Sequence, residues 1–180
     1  MTAPTASLDA TVASTIAEIS AKHCIFQCGV AHYAISATTI REVAYLPPLV
    51  PVPRCPELIA GICHIRSEFV PVVSVTSVLG ISDQGKSADA KQLLLLSHTL
   101  GTWGLMIDRV IAIDSIETHV DGTHRSEGQL SPILGTASFQ ANVVRVIDPK
   151  VLHRFAQQAL VREWTTQNSS NRSQKTAVSS

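Results

Sequence analysis

Apolar and polar residues alternate along much of this chain with the two-residue period of half-buried strands. Over 23–29 the alternation sets Phe26 and Cys28 inward. A turn at 29–32 leads to a second strand at 33–36. Ala37, Thr38 and Thr39 break the pattern, which resumes over 41–46. Five prolines then fall between Pro47 and Pro56, which excludes a helix or a central strand and predicts an extended loop crossing the domain. Residues 58–65 and 69–73 predict a hairpin around Arg66, Ser67 and Glu68. Ser74 is placed to cap a short helix at 75–79, with Gly80 just past its end.

The second half repeats this scheme. A polar linker at 82–91 precedes strands at 92–98, 102–107 and 111–117, a polar loop at 118–130, and a hairpin of 133–139 with 143–147. Asp148 and Pro149 then open a helix, the acid as cap and the proline at the first helical position. Its stripe of Leu152, Ala156, Leu160 and Trp164, with Val151, Phe155 and Ala159 beside it, reads as core packing. Ahead of the first strand, Leu8, Val12, Ile16 and Ile19 fall at helical spacing after a capping Ser7. Two readings stay open there, a weak helix and a partly ordered leader.

The halves also echo each other residue by residue. Tyr33-Ala34-Ile35 recurs as Trp103-Gly104-Leu105, with Ile40 over Val110 and Val43 over Ile113, at an offset of 70. Gly61 to Ser74 recurs as Gly135 to Asp148, at an offset of 74. A repeat that keeps pattern while losing identity reads as two copies of one β-rich unit. Two such units packed together leave a groove, and grooves bind partners. The chain thus divides into a leader at 1–20, a domain at 21–166 and a disordered polar tail at 167–180. Within the domain the first half spans about 24–81, the second about 92–148, and a closing helix 149–166.

Composition narrows the function. Acids and bases number 14 each, with no local basic run, so the chain is a poor polyanion binder and no nucleic-acid partner is expected. No apolar run approaches the roughly 20 residues that span a bilayer, so direct membrane insertion is not expected either. No signal peptide is evident, and the default compartment is the cytoplasm, where four cysteines stay reduced.

Strand geometry argues against cysteine and histidine chemistry. Cys24 and Cys28 share a strand face but stand about 13 Å apart, too far to share a metal. Cys63 and His64 point to opposite faces. His98, His119, His124 and His153 fall near turns, loops or a helix start, and nothing pairs them with a nucleophile. No metalloprotease or nucleophile-elbow motif occurs. The cysteines read as small apolar fillers; no catalytic residue, metal or cofactor is expected. Glu42 and Arg66 each end a strand of otherwise apolar residues. A charge so placed is partly buried and needs a partner. They form a pair, or they are two separate solvated charges.

Several stretches together resemble the CheW family, the adaptors that join bacterial chemoreceptors to the chemotaxis histidine kinase. They are Gly29-x-x-x-Tyr33-Ala34-Ile35, Arg41-Glu42-Val43, Pro51-Val52-Pro53, Gly61-Ile62-x-x-Ile65-Arg66-x-x-Phe69-Val70-Pro71-Val72-Val73, and Trp103-Gly104-Leu105-Met106-Ile107-Asp108-Arg109-Val110. The resemblance runs from about Ile25 to Leu160. It implies an all-β fold of two packed, SH3-like five-stranded barrels, pseudo-duplicated, with a C-terminal α-helix. It implies a non-catalytic scaffold, cytoplasmic and recruited to membrane-bound receptor arrays. The implied partners are the kinase regulatory domain and the chemoreceptor's cytoplasmic signalling tip. The candidate receptor-binding residues are Ile40, Glu42, Gly61, Arg66 and Gly104. This chain departs from the family's usual Asn-Leu-Arg-Gly at His64-Ile65-Arg66-Ser67, and has Ser74 where aspartate is usual. Two alternatives remain: a similar adaptor in a non-motility pathway, and a small-ligand-binding β protein, for which the sequence displays no convergent polar cluster.

Overall fold

The computed structural model describes residues 22–80, 91–119 and 131–177. The expected leader, most of the 82–91 linker and most of the 118–130 loop lie outside the described residues. Ten strands form in the order the alternation sets: β1 (Lys22–Cys28), β2 (Ala31–Ser36), β3 (Ile40–Tyr45), β4 (Ile59–Ile65), β5 (Glu68–Ser74), β6 (Gln92–His98), β7 (Gly101–Ile107), β8 (Arg109–Ser115), β9 (Ile133–Phe139) and β10 (Asn142–Ile147). A 3-10 turn at Ala37–Thr39 separates β2 from β3. Helix α1 (Val75–Val78) follows β5, and α2 (Pro149–Ala177) follows β10.

The strands form two five-stranded sheets, β8-β1-β2-β10-β9 and β3-β6-β7-β5-β4. Neither sheet is one half of the sequence. Each takes strands from both halves, so the repeats are interleaved rather than set side by side. Advancing every strand by five positions turns the first order into the second. The registers follow. His23 pairs with Ser36 as Leu93 pairs with Met106, and Val146 pairs with Ala34 as Val72 pairs with Gly104. A bulge recurs too, leaving Ile111 as the extra residue of β8 and Arg41 as that of β3. Each sheet closes on itself through one short bridge. Val50, beyond β3, bonds Ile62 of β4, and His119, beyond β8, bonds Thr136 of β9.

Three apolar clusters explain the pattern. Ile25, Ala34, Ala137, Val144 and Val146 fill the first sheet. Cys63, Val70, Val72, Leu93 and Leu95 fill the second. The largest cluster joins the two sheets and α2, through Phe26, Tyr33, Ile35, Leu94, Leu96, Trp103, Leu105 and Leu152. The run Leu93 to Leu96 is apolar throughout because alternate residues face the sheet interior and the joint between sheets. Cys24, Cys28 and Cys63 are buried in these clusters, as fillers.

Both helices start on the caps that the sequence indicates. Ser74 Oγ accepts from Ser77 N at 3.4 Å, and Asp148 Oδ1 accepts from Lys150 N and Val151 N at 2.8 and 3.2 Å. The apolar stripe ends at 164, yet α2 runs on to Ala177, past the expected boundary at 166. Extending a nucleated helix costs far less than starting one. The stripe itself is core only at its root. Leu152 and Ala156 are buried, Phe155 and Leu160 are half-buried, and Trp164 is 52% exposed.

Candidate functional site

Two ion pairs join β3 to the tip of the β4–β5 hairpin. Arg66 grips Glu42 with both ends of its fork, Nε to Oε2 at 2.8 Å and Nη2 to Oε1 at 2.9 Å. Beside it, Arg41 Nη1 donates to Glu68 Oε1 and Oε2 at 3.2 and 3.0 Å and to Thr102 Oγ1 at 2.9 Å. The polarities oppose: β3 offers arginine then glutamate, and the hairpin answers with Glu68 and Arg66. The bulge at Arg41 re-aims successive β3 side chains.

The pair that the apolar surroundings suggest therefore forms, but it is not enclosed. The Arg66 side chain is 68% exposed and that of Glu42 26%. Hydrogen bonding and the charge of Arg41 hold the Glu68 carboxyl below its ordinary value. The Arg41–Glu68 pair was not evident from the sequence, because β4–β5 must first fold back onto β3 through the Val50–Ile62 bridge.

The hairpin tip keeps a left-handed turn without glycine. Arg66 and Ser67 have φ of 47° and 65°. Their repeat counterparts Gln140 and Ala141 have 46° and 62°. A primed two-residue turn matches the twist of its strands, which offsets the cost of left-handed backbone in ordinary residues.

Three of the five candidate residues share one cross-strand row: Glu42, Leu95, Gly104, Val72, Gly61. Gly61 and Gly104 are buried in it. A Cβ on Gly61 would stand 2.7 Å from the Val50 carbonyl oxygen, and its φ is 144°. A Cβ on Gly104 would stand 2.6 Å from Leu93 Cδ1. Both glycines shape the sheet beneath the clamp. Ile40 lies on the other side of the bulge, paired with Leu96 and packed against the inter-sheet cluster.

The same row exists in the first sheet as Ala112, Ile25, Ala34, Val146 and Gly135. There Ala112 stands for Glu42, Ile111 for Arg41, Gln140 for Arg66 and Asn142 for Glu68. The second copy holds the same bulge, turn and register with none of the four charges, so the fold does not require them.

Other chemistry is quiet. Burial pushes the Cys24 thiol up to about 11 and the Cys28 thiol up to about 12, and raises those of Cys63 and Cys55. Nucleophilic thiolate is thereby disfavoured at each. Among the described residues, no three histidine, cysteine or acidic side chains gather to hold a metal. Sequence spacing did not reveal that His98 and His153 stack, with ring centroids 3.8 Å apart and Trp103 edge-on at 5.4 Å from His153. No described helix is long and apolar enough to cross a membrane.

The comparisons with known proteins agree with this architecture. The fold is similar to the crystal structure of scaffolding protein TtCheW from Thermoanaerobacter tengcongensis, with a TM-score of 0.59 at 22% identity, over 73% of this chain and 86% of that one. No curated protein matches the chain. The family model for the CheW-like domain matches residues 22–156, from the first residue of β1 to the buried Ala156 of α2. With the family model matched over most of its length, the chain belongs to the CheW-like domain family.

Proposed function

We propose that this CheW-like protein is a non-catalytic scaffold that couples chemoreceptors to a chemotaxis histidine kinase. One surface holds the kinase regulatory domain, itself a related barrel. Another holds the helical hairpin at the receptor's cytoplasmic tip, and receptor state biases the kinase through the shared assembly. The protein works in the cytoplasm and is recruited to receptor arrays. The observation that carries this reading is the asymmetry of the repeat. Four charges occupy one copy and are replaced by uncharged residues in the other, although both copies share one backbone geometry. Charges that the fold can omit are available for recognition. Glu42 and Arg66 then form the receptor-facing clamp, with Ile40, Gly61 and Gly104 setting the backbone that presents it. Paired with each other, the charges leave their surface nearly neutral and orient a partner rather than attract it from afar. The test is co-purification with a chemotaxis-type kinase regulatory domain and a receptor signalling fragment. A ternary complex is expected. A folded protein that retains neither partner overturns the proposal.

A further inference from the structure

A cleft of about 560 Å³ opens where β6, β7, the root of α2 and the 3-10 turn meet. Cavities of this size hold small organic ligands. Its lining comes from three distant parts of the chain. His98 and Trp103 come from β6 and β7, Pro149 and Lys150 open α2, and Thr39 ends the 3-10 turn. No single stretch of sequence holds this cluster; folding assembles it.

The cleft has a flat apolar side and a cationic rim. Trp103, 3% exposed, forms the floor, with the rings of His98 and Pro149 beside it. Lys150 is exposed at the rim, with the hydroxyls of Thr39 and Thr99. Leu100 N donates to His98 Nδ1 at 3.2 Å, so the neutral ring carries its proton on Nε2, which is then a donor. Among the described residues, no acidic side chain lines the cleft. Asp148, next in sequence, has its Oδ1 turned onto the N–H groups of Lys150 and Val151. The ring of His153 stacks on His98 with centroids 3.8 Å apart and planes 20° from parallel. Imidazole lone pairs lie in the ring plane, so two near-parallel rings do not converge on one ion, and the pair is not a metal chelate.

We propose that this cleft binds a small aromatic carboxylate. The ligand's ring lies against His98 and Pro149 over Trp103. Its carboxylate meets the Lys150 ammonium and the rim hydroxyls. A cationic ligand would face Lys150 with no acid to receive it. The chain neighbours of this lining belong to the clamp. Trp103 lies between Thr102, which accepts from Arg41 at 2.9 Å, and Gly104 of the cross-strand row. Thr39 leads directly into Ile40 and Arg41. A ligand here touches segments that support the clamp, while none of the four clamp charges lines the cleft. Binding itself does not depend on the proposed coupling role.

Trp103 reports on occupancy. The protein has two tryptophans, so Trp164→Phe leaves Trp103 alone. That protein is titrated with benzoate, 3-phenylpropionate, acetate and benzylamine. A saturable change in Trp103 emission is expected with the two aromatic carboxylates and not with acetate or benzylamine. Lys150→Gln should weaken the binding about ten-fold, the worth of one charge-assisted contact, whereas Arg154→Gln, outside the cleft, should leave it unchanged. Amide shifts in nuclear magnetic resonance spectra of the full chain should gather at Thr39, at Ser97 to Thr99 and at Lys150. No saturable response to either aromatic carboxylate overturns the proposal. So does an equal response to benzylamine or acetate, parent-like binding by Lys150→Gln, or shifts centred elsewhere.

Discussion

Arg66 and Glu42 meet as a two-point fork at 2.8 and 2.9 Å, across the gap that the Val50–Ile62 bridge closes. Each holds the other's geometry, so reversing either charge sets two like charges face to face. Glu42→Arg and Arg66→Glu should each weaken capture of a receptor fragment while melting stays close to the parent, because the pair is open to solvent. The double swap should recover part of the binding if the residues act mainly on each other. Pull-downs of receptor and kinase fragments with all three variants decide this. Single variants that bind both partners like the parent would reduce Arg66 to an ordinary surface residue.

The two glycines of the row should respond differently to alanine. At Gly61 the new Cβ meets a backbone carbonyl oxygen, and φ of 144° strains any other residue. A cost on the order of 1–3 kcal/mol is expected. At Gly104 the Cβ meets the flexible end of Leu93, which can turn aside. That variant should cost about 1 kcal/mol, at the low end of overpacking. Urea melts of Gly61→Ala and Gly104→Ala make the comparison, and an inverted order would refute it.

Burial along α2 sets a gradient of stability. Leu152 is fully buried and should lose about 2–5 kcal/mol on truncation to alanine. Phe155 is only half-buried, so Phe155→Ala should fall short of the roughly 3–5 kcal/mol of an enclosed aromatic. Chemical denaturation of both variants checks the ranking.

His153 predicts a pH dependence. Burial, and then the charge of His98, lower its pKa from the ordinary 6.5. Its Nδ1 is buried without a hydrogen-bond partner among the described residues. The unfolded chain therefore binds this proton more readily than the folded one. The stabilisation is present above pH 6.5 and is lost as the pH falls through that value toward the folded pKa. The melting temperature should drop between about pH 7 and pH 5.5, and His153→Gln should flatten the profile. The window lies above that of Glu68, whose stabilisation is lost only below the ordinary carboxylate value of 4.5. An unchanged slope in the variant would assign the effect elsewhere.

Much of the candidate site was legible before the fold. Glu42 and Arg66 stood out as charges among apolar residues, and local alternation set their strands. Arg41–Glu68 was not legible, because a bulge shifts which β3 residue faces the hairpin, and alternation alone does not locate bulges. Nor was the burial of the pair. An apolar neighbourhood in sequence predicts two partly buried charges; Glu42 stays partly covered, whereas Arg66 on the hairpin tip projects past the packed layers into water.

What this sequence determines by itself is local and periodic. The alternation sets ten strands, Ser74 and Asp148 set two helix starts, and the offsets of 70 and 74 set the repeat, because each depends on side chains close along the chain. Only the tertiary structure decides which strands share a sheet. The repeat offset is the same whether each half folds on itself or exchanges strands with the other, and long-range pairing resolves it in favour of exchange. The same holds for the stripe on α2. Its spacing is that of a core helix throughout, yet the sheets end near Ala156, and beyond them an identical pattern faces solvent.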